Sequence, residues 1–299
     1  MGRHQQRGRG AGRTRHPEHD ELRDRFLGLS RALGRKTETR VDGERTILLG
    51  AELPRRLRES GALAALASVA THLGLHDDAR GLLVGALKAA RDAADQRTEA
   101  STLHALGENA VESRAPEVAR KWFTEALELR RRIGHRPGVC ETLLALGQLC
   151  ALSGAVAAAR PFLEEATELA PALEMPSIAA LARATSALLH ARDGHPDRAR
   201  AELEEARMAF AAPGPLSLAS RVEGMWFAAL TARTLGDENA AAQHLAAAWV
   251  VLQDIAARMD PDERHAFLHE TSPNREIAEA AAALPGGSAA ERAGSAHSE

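Results

Sequence analysis

From residue 60 onward the chain repeats itself every 40 residues, with 42 in the last step. One register position is held by Ala79, Ala119, Ala159, Ala199 and Ala241. Seven residues later stand Ala86, Ala126, Ala166, Ala206 and Ala248, and between them Leu83, Phe123, Leu163, Leu203 and Leu245. Twelve residues before the first alanine come Ala67, Gly107, Gly147, Ala187 and Ala229, all small. At a one-fifth alanine frequency, ten alanines in ten places have a chance probability of about 10⁻⁷, so the repetition is built in. A 40-residue unit cannot bury its apolar face alone, and stacking such units gives one continuous core.

Each unit reads as two antiparallel helices. Leu103, Leu106, Gly107 and Ala110 fall at i, i+3, i+4 and i+7, the stripe of an amphipathic helix. A turn follows near Arg114, and Pro116 suits the first position of the next helix. Trp122, Phe123, Ala126 and Leu127 then form the buried stripe of that helix. In the other units the turn carries Gly74, Gly154, Gly194 or Gly236, which accept the left-handed geometry of a helix C-terminus. Asp77, Pro196 and Asp237 open second helices as caps or first-turn residues. Small residues let two helices approach closely, and large residues one step away fill the adjacent grooves. Pro161, inside a second helix, predicts a bend.

Composition agrees with helices throughout. Alanine makes up 63 of the 299 residues, aromatics are 3% and tyrosine is absent. Alanine is the strongest helix former, and the residues that favour strands are scarce. No run of eighteen apolar residues occurs, which excludes a membrane-spanning helix. Two cysteines, Cys140 and Cys150, cannot make a disulfide framework, and with no apolar N-terminal leader they point to a cytoplasmic setting.

The repeat resembles the tetratricopeptide repeat family. The resemblance rests on Leu66-Ala67, Leu106-Gly107 and Leu146-Gly147 in first helices, followed by Ala, Leu/Phe and Ala in second helices. The usual aromatic of the first helix is replaced by Ala70, Ala110, Cys150, His190 and Ala232, and the period exceeds the family's usual length. The resemblance implies an all-α, right-handed helical-hairpin solenoid with capping helices, and a partner-binding concave face lined by first helices. The matching positions are Ser68, Thr71, His104, Glu108, Glu141, Gln148, Leu181, Leu188, Trp226 and Leu230, a groove running from polar and acidic to apolar. Trp226 heads the apolar end, with the adjacent Phe227 packing inside. The groove lacks the Lys/Asn/Arg set with which chaperone-binding relatives hold a terminal carboxylate.

The expected organisation is a disordered Arg/Gly-rich tail over 1–20, an N-terminal helical cap or degenerate repeat over 21–59 and five repeats over 60–258. Capping helices over 259–284 follow, started by Asp260-Pro261 and Ser272-Pro273, then a disordered tail over 285–299. The C-terminal stretch is also similar to the closing segment of repeat arms in bacterial regulatory ATPases and kinase-linked signalling proteins. Residues 1–60 hold fifteen Arg/Lys against nine Asp/Glu, so the remainder carries 23 against 32 and is acidic.

Catalytic signatures are missing: no phosphate-binding Gly-rich loop, Rossmann fingerprint, HExxH or GxSxG occurs. Cys140 and Cys150 lack metal spacing and read as core residues. His265 and His269 stand at i, i+4 without a convincing third ligand, and turn chemistry accounts for His72, His76 and His195. The expectation is a non-enzymatic interaction scaffold or sensor arm of bacterial signalling, with no cofactor and no metal. Its partner would be a protein or peptide, with a kinase, ATPase or transcription regulator as the expected kind. An Arg-rich head at 1–20 leaves open the alternative of a nucleic-acid-associated transcriptional regulator.

Overall fold

The computed structural model describes residues 61–284, apart from 62, 66, 69, 72–74, 212–215 and 260. The expected segments 1–20, 21–59 and 285–299 therefore lie outside the described residues, as do Leu66, His72 and Gly74. Among the described residues there is no strand. Helical positions within 61–71 lead into α1 (His76–Asp92), α2 (Gln96–Glu112), α3 (Pro116–Arg132), α4 (Arg136–Leu152), α5 (Val156–Ala172), α6 (Pro176–Arg192), α7 (Pro196–Ala211), α8 (Leu218–Thr234) and α9 (Glu238–Ala256). Two nine-residue helices close the described chain, α10 (Pro261–His269) and α11 (Asn274–Ala282). The fold is all-α, a stack of helical hairpins.

The spacing is stricter than the 40-residue unit required. Helices α1 to α7 begin 20 residues apart, seventeen of helix and three of turn. The middle residue of each turn has a positive φ, at Ala94, Arg114, Gly134, Gly154, Glu174, Gly194 and Gly236. Glycine takes that conformation freely, and non-glycine residues adopt it at a cost. Up to α7, the joint within a unit and the joint between units are thus the same turn. The extra two residues of the last step fall between α7 and α8. Caps reinforce the starts: Asp95 accepts from the Thr98 N–H (3.1 Å) and Asp237 from the Ala240 N–H (2.9 Å). Helix α5 runs unbroken through Pro161 and Pro171.

The register residues form the core. All ten repeated alanines are at most 1% exposed, and Phe123, Leu163 and Leu245 are buried beside them. Gly107 shows why small residues are needed: an added Cβ would lie 2.5 Å from the Phe123 ring. Helix α8 packs on α6 and α6 on α4, so first helices line one side of the arc. The last hairpin packs on α9 and reaches back to the first described unit. The Ser272 N–H donates to Glu112 Oε2 (2.7 Å), His76 Nε2 lies 3.2 Å from the Glu270 carbonyl oxygen, and Arg114 pairs with Glu279 at 3.6 Å. No helix among the described residues is long and apolar enough to cross a membrane.

Candidate functional site

The inner side of the arc is built on α2. His104, Glu108 and Glu112 follow one another at four-residue steps and so share a helix face. His104 is largely buried: its Nδ1 is 3.3 Å from Thr142 Oγ1, its Nε2 is 3.4 Å from Glu108, and its ring centroid is 5.1 Å from that of Phe123. Arg130 comes in from α3 and is buried. Its Nη1 donates to the Gly138 carbonyl and to Thr142 Oγ1, both at 2.7 Å, and pairs with Glu141 at 3.3 Å. Burial lowers the affinity of this guanidinium for its proton, while Glu141 and Glu108 raise it. Arg130 thereby ties the end of α3 to the start of α4 and leaves Glu141 half-exposed.

Across the arc, Gln148 Nε2 on α4 donates to Glu223 Oε1 on α8 at 2.7 Å, bridging helices two units of first-helix spacing apart. Burial pushes the Glu223 carboxyl up to about 7, with the Gln148 hydrogen bond opposing and the charge of Glu108 adding to the rise. Burial likewise lifts Glu112 to about 7. The Ser272 N–H and Arg275 oppose that shift, and Glu276 and Glu108 reinforce it. The fields of α2, α3, α8 and α11 thus meet around Glu108. Five carboxyl groups, Glu108, Glu112, Glu141, Glu223 and Glu276, face two guanidinium groups, Arg130 and Arg275.

The predicted groove residues divide. Glu108 and Glu141 are exposed on this face, and Gln148 and His104 are half-buried within it. Ser68 is exposed one helix away, and Thr71 donates to the Ala67 carbonyl at 3.0 Å. The apolar end is a correction: Leu188 is wholly buried, Leu181 is 4% exposed and Trp226 is 8% exposed. Leu188 shares a core with Ala184, Ala206 and Phe227, and Trp226 shares one with Val222, Leu245 and Ile277 of the closing helix. Stacking of α8 on α6 covers the inner side of α6, and the last hairpin completes the core around Trp226. Trp226 and Phe227 are both buried, and Leu230 is half-buried between the two cores.

Glu112, Glu223, Arg275 and Glu276 were not among the predicted residues. Glu112 continues the His104–Glu108 stripe by one turn, and Glu223 precedes Trp226 by three residues on the same helix, so helical spacing carried a signal for both. Nothing in the repeat placed Arg275 and Glu276 beside them. Both cysteines are buried, and burial drives the Cys140 thiol up to about 11, as suits core residues. The rings of His265 and His269 lie with centroids 4.9 Å apart, tilted at 42° to one another.

Two solved structures share this architecture. BtubC (BKLC) from P. vanneervenii is 17% identical, with a TM-score of 0.55, over 80% of this chain and 92% of its own. A Rap protein complexed with Competence and Sporulation Factor is 14% identical, also with a TM-score of 0.55, over 88% of this chain and 72% of its own. At these identities the likeness establishes the fold. No curated protein sequence matches the chain. The tetratricopeptide repeat family matches residues 59–132 and 114–172 in two overlapping segments. Over residues 59–172 the chain thus matches the tetratricopeptide repeat, a family of stacked helical hairpins that generally acts as a non-catalytic protein-interaction module.

Proposed function

We propose that the chain is a non-enzymatic interaction scaffold or sensor arm of bacterial signalling that takes a basic segment of a protein or peptide partner on its acidic inner face. The observation that carries this reading is the convergence of Glu108, Glu112, Glu141, Glu223 and Glu276 from four helices onto one side of the arc. Repeat arrays present extended surfaces of this kind, and charge complementarity speeds encounter and selects partners. The Rap protein of similar fold was solved complexed with Competence and Sporulation Factor, so such a fold can hold a ligand. An excess of carboxylates also disfavours nucleic acid on this face, since phosphates would be repelled.

The test uses a fluorescent Arg-rich dodecapeptide and its Glu-rich counterpart with the full chain. Anisotropy is expected to rise with the basic peptide alone and to weaken as salt screens the charges. Because Glu112 and Glu223 ionise near neutrality, affinity should grow from pH 6 to pH 8. A Glu108→Gln/Glu141→Gln variant should bind about tenfold more weakly. Equal binding of both peptides, or an unaffected variant, contradicts the assignment.

A further inference from the structure

A polar hollow of about 390 Å³ opens where α6 lies between α5 and α7. Its position in the repeat is what makes it informative. In the two preceding joints the corresponding positions are apolar: Leu87, Leu106, Ala110 and Trp122, then Leu127, Leu146, Cys150 and Phe162. Leu106 and Leu146 are at most 2% exposed, and Leu87 and Leu127 are buried with them. At the α5–α6–α7 joint the same four positions are Thr167, Ser186, His190 and Glu202, and all four line the hollow. Two core leucines have become hydroxyl side chains, which empties the volume they would fill, and the remaining two positions have become titratable. At this joint all four positions are polar, whereas the following joint carries Arg207, Ala228, Ala232 and His244.

The groups that face the hollow choose its occupant. Arg160 and Arg198 flank it from α5 and α7, and Leu189 forms an apolar floor. Arg160 is held by Asp193, whereas Arg198 makes no ion pair among the described residues. His190 Nδ1 is buried with no hydrogen-bond partner. Burial is the main influence disfavouring protonation of this ring; Arg160, Arg198 and His195 add to it, and Glu202 opposes it. Glu202 is itself engaged by Arg183 at 3.5 Å, and Glu164 and Glu168 are exposed at the rim. An unpartnered imidazole nitrogen, a donor in the Nδ1–H tautomer, beside two guanidinium groups suits an oxyanion, and the rim carboxylates suit hydroxyl groups on the same molecule.

We propose that this hollow binds a small hydroxylated oxyanion, a carboxylate or a phosphate ester, through Arg160, Arg198 and His190, with Ser186 supplying a further hydroxyl contact. Glycerate and glycerol 3-phosphate present the two anions on one carbon skeleton, and glycerol serves as the uncharged control. Imidazole ¹H–¹⁵N spectra of the full chain, with His190 assigned from a His190→Phe variant, follow each titration. One or both anions should shift the His190 resonances saturably in the millimolar range, glycerol should not, and the anion with the tighter curve identifies the class. Arg198→Ala, a change at an exposed position, should weaken that binding about tenfold. Thr167→Leu/Ser186→Leu installs the leucines of the two preceding joints. It should abolish the shift while the melting temperature is kept or raised. Absence of a saturable shift with either anion up to about 50 mM overturns the proposal, as does undiminished binding by Arg198→Ala or by a folded Thr167→Leu/Ser186→Leu protein.

Discussion

At the scale of single residues, Gly107 sits tightly against the face of Phe123. Three atoms of the ring lie within 2.9 Å of the position a Cβ would take, and an aromatic ring packed in a core cannot fold aside as the tip of a lysine could. Gly107→Ala is therefore expected to destabilise the chain by about 1–3 kcal/mol, the usual range for overpacking, read as a lower urea midpoint. The register offers its own remedy. Units that carry alanine at this position carry leucine opposite it, as in Ala67 with Leu83 and Ala229 with Leu245. Phe123→Leu added to Gly107→Ala should recover much of the loss. A double variant no better than the single would mean that the two positions are not coupled.

At the scale of elements, one three-residue turn is used again and again, and its middle residue sits at positive φ whether or not it is glycine. Ala94, Arg114 and Glu174 hold φ between 53° and 55°. Glu174 is exposed and makes no side-chain hydrogen bond or ion pair among the described residues that would be lost with it. Glu174→Gly should remove the left-handed penalty at the expense of some unfolded-state entropy, for a net gain of about 0.5–1 kcal/mol in thermal or urea unfolding. A loss of stability would show that the turn tolerates side chains without strain. The helices were legible in the sequence because the alanine register repeats without error over five units, and because Pro116, Pro176 and Pro196 mark helix starts. The sameness of the turns was only half legible. Gly154, Gly194 and Gly236 signal the left-handed residue, whereas Arg114 and Glu174 occupy the same place with nothing in their chemistry to announce it.

At the scale of the whole molecule, the decisive contacts join residues 160 to 194 positions apart, between the last hairpin and the first described unit. A local period specifies how each unit sits on the next, but small angular offsets accumulate over several units, so the return of the chain end was beyond sequence reasoning. For the same reason Glu108, Glu141 and Gln148 were found from their place on first helices, while the burial of Leu188 and Trp226 depends on curvature and closure. Closure also sets a pH response. The carboxyls of Glu112 and Glu223 titrate near 7 in the folded chain against 4.5 as ordinary groups, so between these values the folded state holds more protons than the unfolded one. Stability must then fall as pH rises through about 7, and the contribution is flat below about 4.5, where both states are protonated. His190 and His244, whose protonated forms are disfavoured by burial, act in the opposite sense at acid pH, so the comparison is made against variants in place of a single curve. Glutamine at 112 and 223 keeps an oxygen to accept from the Ser272 N–H and from Gln148 but carries no charge. Glu112→Gln/Glu223→Gln should be more stable than the parent at pH 8 by about 1–3 kcal/mol, after allowance for the partial exposure of both carboxyls. The advantage should shrink towards pH 6 and vanish below pH 5, followed by thermal unfolding across that range. A difference that does not depend on pH would mean that neither carboxyl is desolvated, and that the last hairpin does not close on the first described unit in solution.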